Sequence, residues 1–548
     1  MNLSEPGLFS IFAPLMDCIS QRVPYRQTGY FANIVLDYLD HADGLKPFYK
    51  HSPTLQGIQQ AIGARKKISI NRPVLVDQLK QQYALVNTNE AVQKNIEALL
   101  SEETFTITTA HQPNIFTGPL YFIYKILHAI KLAEHLNASL PLFKFVPVYY
   151  MGTEDADLEE LGLTYVDGQK IKWETNQTGA VGRMKVDKEF IRLINLIEGQ
   201  IAIQPFGNEI MSLVKDCYKE NVSIQQATFK LINELFGEYG LIVLNPDNAV
   251  LKNQMIPVFE NDLLDQSASG IVEKTSKQLE ELYKIQINPR EINLFYLKDN
   301  IRERIVETKD GWAIMNADKI KFSKEELLKE LYEHSERFSP NVVLRGLYQE
   351  TILPNIVFTG GGGELAYWLQ LKELFDNYNV SFPVLLLRNS FLIIEKKWKE
   401  KISKLDFTIE DFFLSEEQLI NRLVVKETEN EIKLNGNLSD AEKLYESLKK
   451  QAEAVDASLG QHVEALKTQS LYRLQELEKK MLRAEKRKFA DQQRQIHTIK
   501  EELFPEKDLQ ERHDNFLLYY AKWGKGFIPK LYEHSLSFEQ EFVVLSEG

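Results

Sequence analysis

The segment His111-Gln112-Pro113-Asn114-Ile115-Phe116-Thr117-Gly118-Pro119-Leu120-Tyr121 follows a short β-branched run, Phe105 to Thr109 (FTITT). It precedes a stretch in which Leu120, Ile123, Leu127, Ile130, Ala133 and Leu136 recur at helical spacing. A polar loop between a buried strand and a helix start is where α/β folds bind ligands. Free backbone N–H groups at such a helix start suit phosphate or carboxylate. His111 can donate to a developing negative charge or act as an acid or base. Lys125, within two turns of the helix start, can reach the same ligand as a point charge. Thr117 is expected to cap the helix, with Pro119 in its first turn. The plainer alternative is a capped helix with a hydrogen-bonded histidine.

Three further groups of residues can carry chemistry. Glu154, Asp155 and Asp157, followed by Glu159 and Glu160, cluster after a second apolar run. Such carboxylates can hold a substrate ammonium, deprotonate an attacking amine or bind magnesium; a solvated acidic helix start is the alternative. Gly360-Gly361-Gly362-Gly363-Glu364 permits close backbone approach and unusual dihedral angles, so a phosphate nest is expected there, although a tight strand-to-helix turn also needs glycine. Arg345, Gln349 and Glu350 lie just upstream, at an expected strand end and helix start, and can point into the same crevice. Near the end of the chain, Arg512, Asn515 and Tyr519 fall in an apolar stretch; Asn515 and Tyr519, four apart, share a helix face and can hold a purine or simply dock the helix. His128 and His135 share a face without a third ligand and read as structural, whereas His462 and His497 read as solvated.

The elements that must position these residues follow from the apolar runs. Phe143 to Tyr150 (FKFVPVYY), Leu241 to Leu244 (LIVL), Asn341 to Leu344 (NVVL), Ile356 to Thr359 (IVFT) and Val384 to Leu387 (VLLL) have the near-continuous hydrophobicity of parallel strands covered on both faces. With the helix from Pro119 they predict an α/β fold with a doubly wound parallel sheet. Residues 1–162 would form the first half of the core, 241–264 a further core segment and 336–437 the second half; 163–240 and 265–335 would be insertions. From Ser439, which has capping-box spacing to Glu442, no proline occurs until Pro505. Apolar or small residues from Leu444 to Ala484 step by four, four and three, a repeat of about 11 residues; Ser470 and Lys488 interrupt the seam. Residues 438–504 therefore predict one or two very long helices reaching ~90 Å. Such an arm must pack on a second subunit, the favoured reading, or fold back as a hairpin. Residues 505–548 would return to the core.

Composition bounds the function. The 548 residues, 44% hydrophobic and 26% charged, suit two or three globular units. A formal charge of −13 disfavours broad attraction to nucleic acid or anionic membranes and favours a small-molecule substrate. Cys18 and Cys217 are too few for a disulfide scaffold or a thiolate zinc site and are expected as buried small hydrophobes. Glu5 and Pro14 interrupt the pattern of a signal peptide, and no stretch reaches the ~18 apolar residues of a membrane span, so the cytoplasm is expected.

Taken together, TGPLYFIYKI, VPVYYMGTEDADLEE, NVVLRGLYQETILPNIVFTGGGGELAYW and the long coil resemble, in this order, the bacillithiol biosynthesis cysteine-adding enzyme family, BshC. The resemblance implies a Rossmann-like core similar to class I aminoacyl-tRNA synthetases, two insertions and dimerisation through the coil. It also implies a ligase that adds L-cysteine to the amine of glucosaminyl malate, the final step of bacillithiol synthesis. His111 to Tyr121 would replace the synthetases' HIGH segment. His111, Asn114, Glu154, Asp155 and Asp157 would be catalytic, and Gln112, Thr117, Gly118, Tyr121, Lys125, Arg345 and Gln349 would bind substrate. A second nucleotide pocket near the coil would use Gly362, Gly363, Glu364, Asn515 and Tyr519. ATP or ADP is expected as cofactor, with magnesium possible and no zinc. Where the family pattern carries histidine in the acidic loop, this chain has Ala156, so no acid–base role carries over to that position. An inactive nucleotide-fold scaffold with a coiled coil is the alternative, and a tRNA-binding relative is disfavoured by the acidic balance.

Overall fold

The computed structural model describes residues 17–317, 319–428 and 433–548. The stretch containing Glu5 and Pro14 lies outside them. No helix among the described residues is long and apolar enough to cross a membrane. The chain divides into two compact units, one of residues 1–26, 30–393 and 508–548 and one of residues 27–29 and 394–507. The middle segment of the first unit thus stops at residue 393, short of the expected boundary at 437.

The first unit is built on five parallel strands: β1 (Thr104–His111), β2 (Lys144–Met151), β3 (Ile242–Leu244), β4 (Asn355–Gly360) and β5 (Val384–Leu387). Their order is β5-β4-β1-β2-β3. Every residue of β1 is buried, as expected of a central strand covered on both faces. On one face, α1 (Tyr121–Ser139) and the helix Leu55–Arg65 bring Ala129, Leu132, Leu136, Ile58 and Ile62 against Phe105, Ile107 and Phe145. On the other, α2 (Val342–Ile352) sets Tyr348 edge-on to Tyr150 of β2. Alternate strand residues therefore meet helices on opposite sides, which is the doubly wound arrangement.

The expected strand Asn341 to Leu344 is instead the start of α2. Asn341 caps it, accepting from Val343 N, so Arg345 sits in its first turns. A four-residue apolar run does not distinguish a strand from a buried helix turn, and the cap decides it.

The insertions differ in kind. Residues 163–240 hold a hairpin (Leu163–Val166 with Gln169–Lys172) and three amphipathic helices. Residues 265–335 hold most of an antiparallel sheet whose edge strand Phe338–Pro340 lies just beyond. The terminal strands Cys18–Pro24 and Glu541–Glu547 pair antiparallel. Cys217 is buried, but Cys18 is only partly so, contrary to expectation.

In the second unit, the arm follows the alternative expectation of two helices folded back as a hairpin rather than one continuous helix. Helix Asn435–Val455 ends before Asp456, and helix Leu459–Lys486 returns alongside it. Tyr445 and Ser470 hydroxyls meet across the hairpin at 2.5 Å, and Lys449 pairs with Glu464 at 3.0 Å. Ser470, which interrupted the seam, thus has a partner on the other arm. The longest straight run is 28 residues, or ~42 Å rather than ~90 Å. Ser439 lies inside the first helix rather than capping it.

Candidate active site at the carboxyl end of the parallel sheet

From β1 the chain winds outward in one direction to β2 and β3 and in the other to β4 and β5, so the crossovers diverge at β1 and β4. Open α/β sheets bind ligands at the carboxyl ends of the strands flanking such a switch. A cavity of about 660 Å³ lies there, within the ~300–1,000 Å³ typical of small-molecule sites.

One wall is cationic. Lys125 of α1 donates to Ala110 O at 2.8 Å and pairs with Glu364, whose carboxylate also accepts from Gly361 N at 2.8 Å. Burial lowers the Lys125 pKa and Glu364 partly restores it. Arg388, just after β5, is buried at 5% exposure. It donates to Glu511 at 2.8 Å and to Asn389 O and Ser390 Oγ, with its guanidinium 4.9 Å from the Tyr121 ring. Arg345 donates to Tyr367 OH and lies 5.8 Å from the Tyr150 ring. Three buried nitrogens on this wall have no hydrogen-bond partner: Arg345 Nη1, Arg388 Nε and His111 Nε2. Burial, reinforced by Lys125, Arg388 and Arg345, holds the His111 pKa well below its ordinary value. His111 is therefore a neutral imidazole, packed edge-on to Tyr121.

The opposite wall is acidic, and its two inner carboxylates are already bonded. Glu154 is paired with the fully buried Lys252 and accepts from Ser339 Oγ at 3.3 Å. Burial raises its pKa, Lys252 opposes that shift, and the upward direction prevails. Asp155 accepts from Gln112 Nε2 at 3.1 Å. Glu160 reaches the cavity and is raised by burial with help from Asp157 and Asp155. Arg302, from the antiparallel sheet, lies 4.0 Å from the Phe295 ring and donates to Ser339 Oγ at 3.3 Å.

Of the residues singled out in the sequence, His111, Gln112, Tyr121, Lys125, Glu154, Asp155, Glu160, Arg345, Gly361, Gly362, Gly363, Glu364 and Arg512 line this cavity. The others do not. Asn114, Thr117 and Gly118 lie beneath it, in a turn where Phe116, Thr117 and Gly118 all have positive φ. Asn515 holds that turn, donating to the carbonyls of Phe116 and Gly118 at 2.9 and 2.7 Å. Thr117 therefore caps nothing, and the α1 start is covered: Leu120 N donates to Asp514 O at 2.7 Å. Asp157 is exposed and caps a short helix through Glu160 N. Gln349 is buried against Glu350, whose pKa burial lifts to about 7.

The supposed second pocket is not assembled. Gly362, Gly363 and Glu364 belong to the main cavity, whereas Asn515 is the clamp just described and Tyr519 donates to Asp514 at 2.6 Å. Nor is the glycine run a nest of unusual dihedrals: no residue from Gly360 to Gly363 has positive φ. A Cβ at Gly361 would meet Arg388 Nε at 3.7 Å, an ordinary van der Waals contact, so Arg388 does not require glycine there. His128 and His135 hold Ser537 of the C-terminal segment, through its carbonyl and hydroxyl respectively. Among the described residues, no three His, Cys, Asp or Glu are placed to hold a metal ion.

Arg302, Arg388, Tyr367 and Lys252 were not singled out in the sequence. For Arg388 the signal was available, since it directly follows the last core strand; the others are isolated residues in segments without a local pattern.

A doubly wound sheet with a polar, two-walled cavity at its switch point defines a Rossmann-like protein built to bind a small polar ligand. The chain belongs to the BshC family. Residues 18–389 match the model described as "Bacillithiol biosynthesis BshC, N-terminal Rossmann-like domain", and residues 391–547 match "Bacillithiol biosynthesis BshC, C-terminal coiled-coil domain". Similar proteins carry the name "Putative cysteine ligase BshC". That of Flavobacterium johnsoniae is 39% identical, over 97% of this chain and 99% of its own. That of Flavobacterium psychrophilum is 40% identical over 94% and 96%, and that of Salinibacter ruber 30% identical over 94% and 96%. A crystal structure titled "putative arginyl t-RNA synthetase" from Campylobacter jejuni aligns at 10% identity and a TM-score of 0.21, covering 81% of this chain and 98% of that one, too loosely to bear on the fold.

Proposed function

We propose that the protein is a carbon–nitrogen ligase that joins the carboxylate of L-cysteine to the amine of glucosaminyl malate, completing bacillithiol synthesis. The observation that carries this reading is the division of one cavity into a wall with unpartnered cationic donors and a wall where the buried Glu154 stands beside Asp155 and Glu160. Membership of a bacillithiol biosynthesis family, and relatives named as cysteine ligases, supply the substrate class.

In this reading Arg345 and Arg388 seat an anionic group, carboxylate or phosphate, through the donors left free at Nη1 and Nε. Neutral His111 donates or accepts at the same place without adding charge. Across the cavity, Glu154 takes the proton that the amine must lose as its nitrogen bonds to the carboxyl carbon; a carboxyl raised by burial suits this work near neutral pH. Joining a carboxylate to an amine needs activation, and the free donors fit the phosphates of ATP. ATP, when bound, supplies the leaving group at the carboxylate oxygen. A free thiol as substrate and product fits the reducing cytoplasm. The exposed Leu444, Leu448, Leu466 and Leu477 of the helical arm suit contact with a second copy of the chain.

Deleting the gene tests the reading in the cell. Bacillithiol should disappear and glucosaminyl malate accumulate, with both restored by wild-type protein but not by the Glu154→Gln variant. Unchanged thiol in the deletion strain would overturn it.

A further inference from the structure

Behind the acidic wall, four side chains of alternating charge run from the surface inward: Arg183, Asp247, Lys252 and Glu154. Arg183 grips Asp247 with two hydrogen bonds, Nε to Oδ2 at 2.7 Å and Nη2 to Oδ1 at 2.6 Å. Asp247 lies 3.8 Å from the Lys252 ammonium, which pairs with Glu154 Oε1 and donates to Glu336 O at 3.0 Å. Lys252 has no exposed surface and does not line the cavity. The turn after β3 makes this possible. Asn248 caps the short helix Ala249–Lys252 by accepting from Leu251 N, and so delivers Asp247 and Lys252 together beneath Glu154.

A fully buried ammonium is costly unless its charge is answered on the spot. Here it is answered from two sides, by Glu154, which faces the cavity, and by Asp247, which does not. We propose that Lys252 is a positioning residue: anchored by Asp247 and Arg183 and by the Glu336 carbonyl, it fixes the orientation and ionisation of the Glu154 carboxylate that receives the proton of the attacking amine. This rests on the ligase reading for Glu154's role, but the chain of charges is a property of the structure itself.

Arg302 from the antiparallel sheet, Asp247 and Lys252 from the turn after β3, Arg183 behind Asp247, and the phenols of Tyr150 on β2 and Tyr348 on α2 are the charged and titratable groups acting on Glu154. Burial and Asp247 push its pKa up; Lys252 and Arg302 pull it down. Losing the ammonium should therefore leave a larger protonated fraction of Glu154 at neutral pH. It should also leave one Glu154 oxygen without its donor.

The test is a double-mutant cycle with Glu154→Gln, Lys252→Met and the pair, read by condensation rate against pH. Lys252→Met should move the acid limb of kcat/KM up by about one pH unit or more and lower the rate near pH 7 about tenfold. In the Glu154→Gln background the same change should cost less than about twofold, because its route to the reaction is gone. The pair also removes both buried charges, which protects against simple misfolding. An unmoved acid limb, or a full loss repeated in the Glu154→Gln background, would overturn the proposal. Isotope-edited infrared titration of the carboxylate band lost in Glu154→Gln gives an assay-independent reading. Its midpoint should rise in Lys252→Met, and an unchanged midpoint would overturn the proposal. If wild-type protein condensed nothing, the ligase reading would fail while the infrared midpoint still decided the role of Lys252.

Discussion

The two walls of the cavity differ in how their polar atoms are satisfied. On the acidic side the two inner carboxylates already have partners, Glu154 with Lys252 and Ser339, Asp155 with Gln112. On the cationic side Arg345 Nη1, Arg388 Nε and His111 Nε2 are buried and have none. Buried donors without partners are rare in folded proteins and mark places where something else supplies the acceptor. The difference shows which wall waits for a ligand and which is set in advance to act on it: the cationic wall binds an anion, and the acidic wall handles a proton.

Substitutions on each side should break or sharpen this contrast. Glu154→Gln should have the largest effect, lowering kcat by about a hundredfold to ten-thousandfold with ligand affinity largely kept; a loss confined to KM would make it a binding residue. Arg388→Met leaves Glu511 buried and unpaired, and urea denaturation should show a loss of about 3–5 kcal/mol. Adding Glu511→Gln should restore most of that stability but not anion binding. Arg345→Met, whose side chain has no carboxylate partner, should leave stability nearly unchanged. It should weaken binding of the anionic substrate about tenfold to a hundredfold by calorimetry, the worth of one charged hydrogen bond.

His111 gives a smaller effect, read through pH. Its folded pKa lies below its unfolded value, so the unfolded chain takes up a proton that the folded one refuses. Its contribution destabilises the fold as pH falls below about 6.5, by at most ~1.4 kcal/mol per pH unit. The difference in unfolding free energy between wild type and His111→Asn should narrow over that range. A difference independent of pH would mean that His111 takes up its proton as readily in the fold as in the unfolded chain. Smallest of all, Asp157→Ala, at an exposed cap outside the cavity, should change activity by less than about twofold.

Much of the core was legible because its signals are local. FTITT, FKFVPVYY, IVFT and VLLL are strands, and the spacing from Leu120 to Leu136 is a helix, since buried parallel strands and a helix against them write their environment into consecutive residues. Asn341 to Leu344 misled because four apolar residues carry no period, and the capping asparagine was read as part of the run. The helical arm misled differently. Its seam steps by four from Val455 to Leu459 across the turn at Asp456 to Ser458, so the spacing does not mark where the first helix ends, and a hairpin and a straight coil share one pattern.

For the cavity, the residues of the strand-to-helix loops were visible, but which of them face inward was not. His111 ends β1 and Asn114 follows three residues later, yet the positive-φ turn at Phe116 to Gly118 keeps Asn114 out of the cavity while His111 lines it. Lys252 and Arg302 are lone charged residues from distant segments, and only the fold brings them to Glu154.

The most direct test incubates wild-type and Arg345→Met protein with L-cysteine, glucosaminyl malate and ATP and follows the products by mass spectrometry. Wild type should yield a species lighter by one water than the two substrates combined, and Arg345→Met should yield little of it. Equal yield from both proteins would place the reaction outside this cavity.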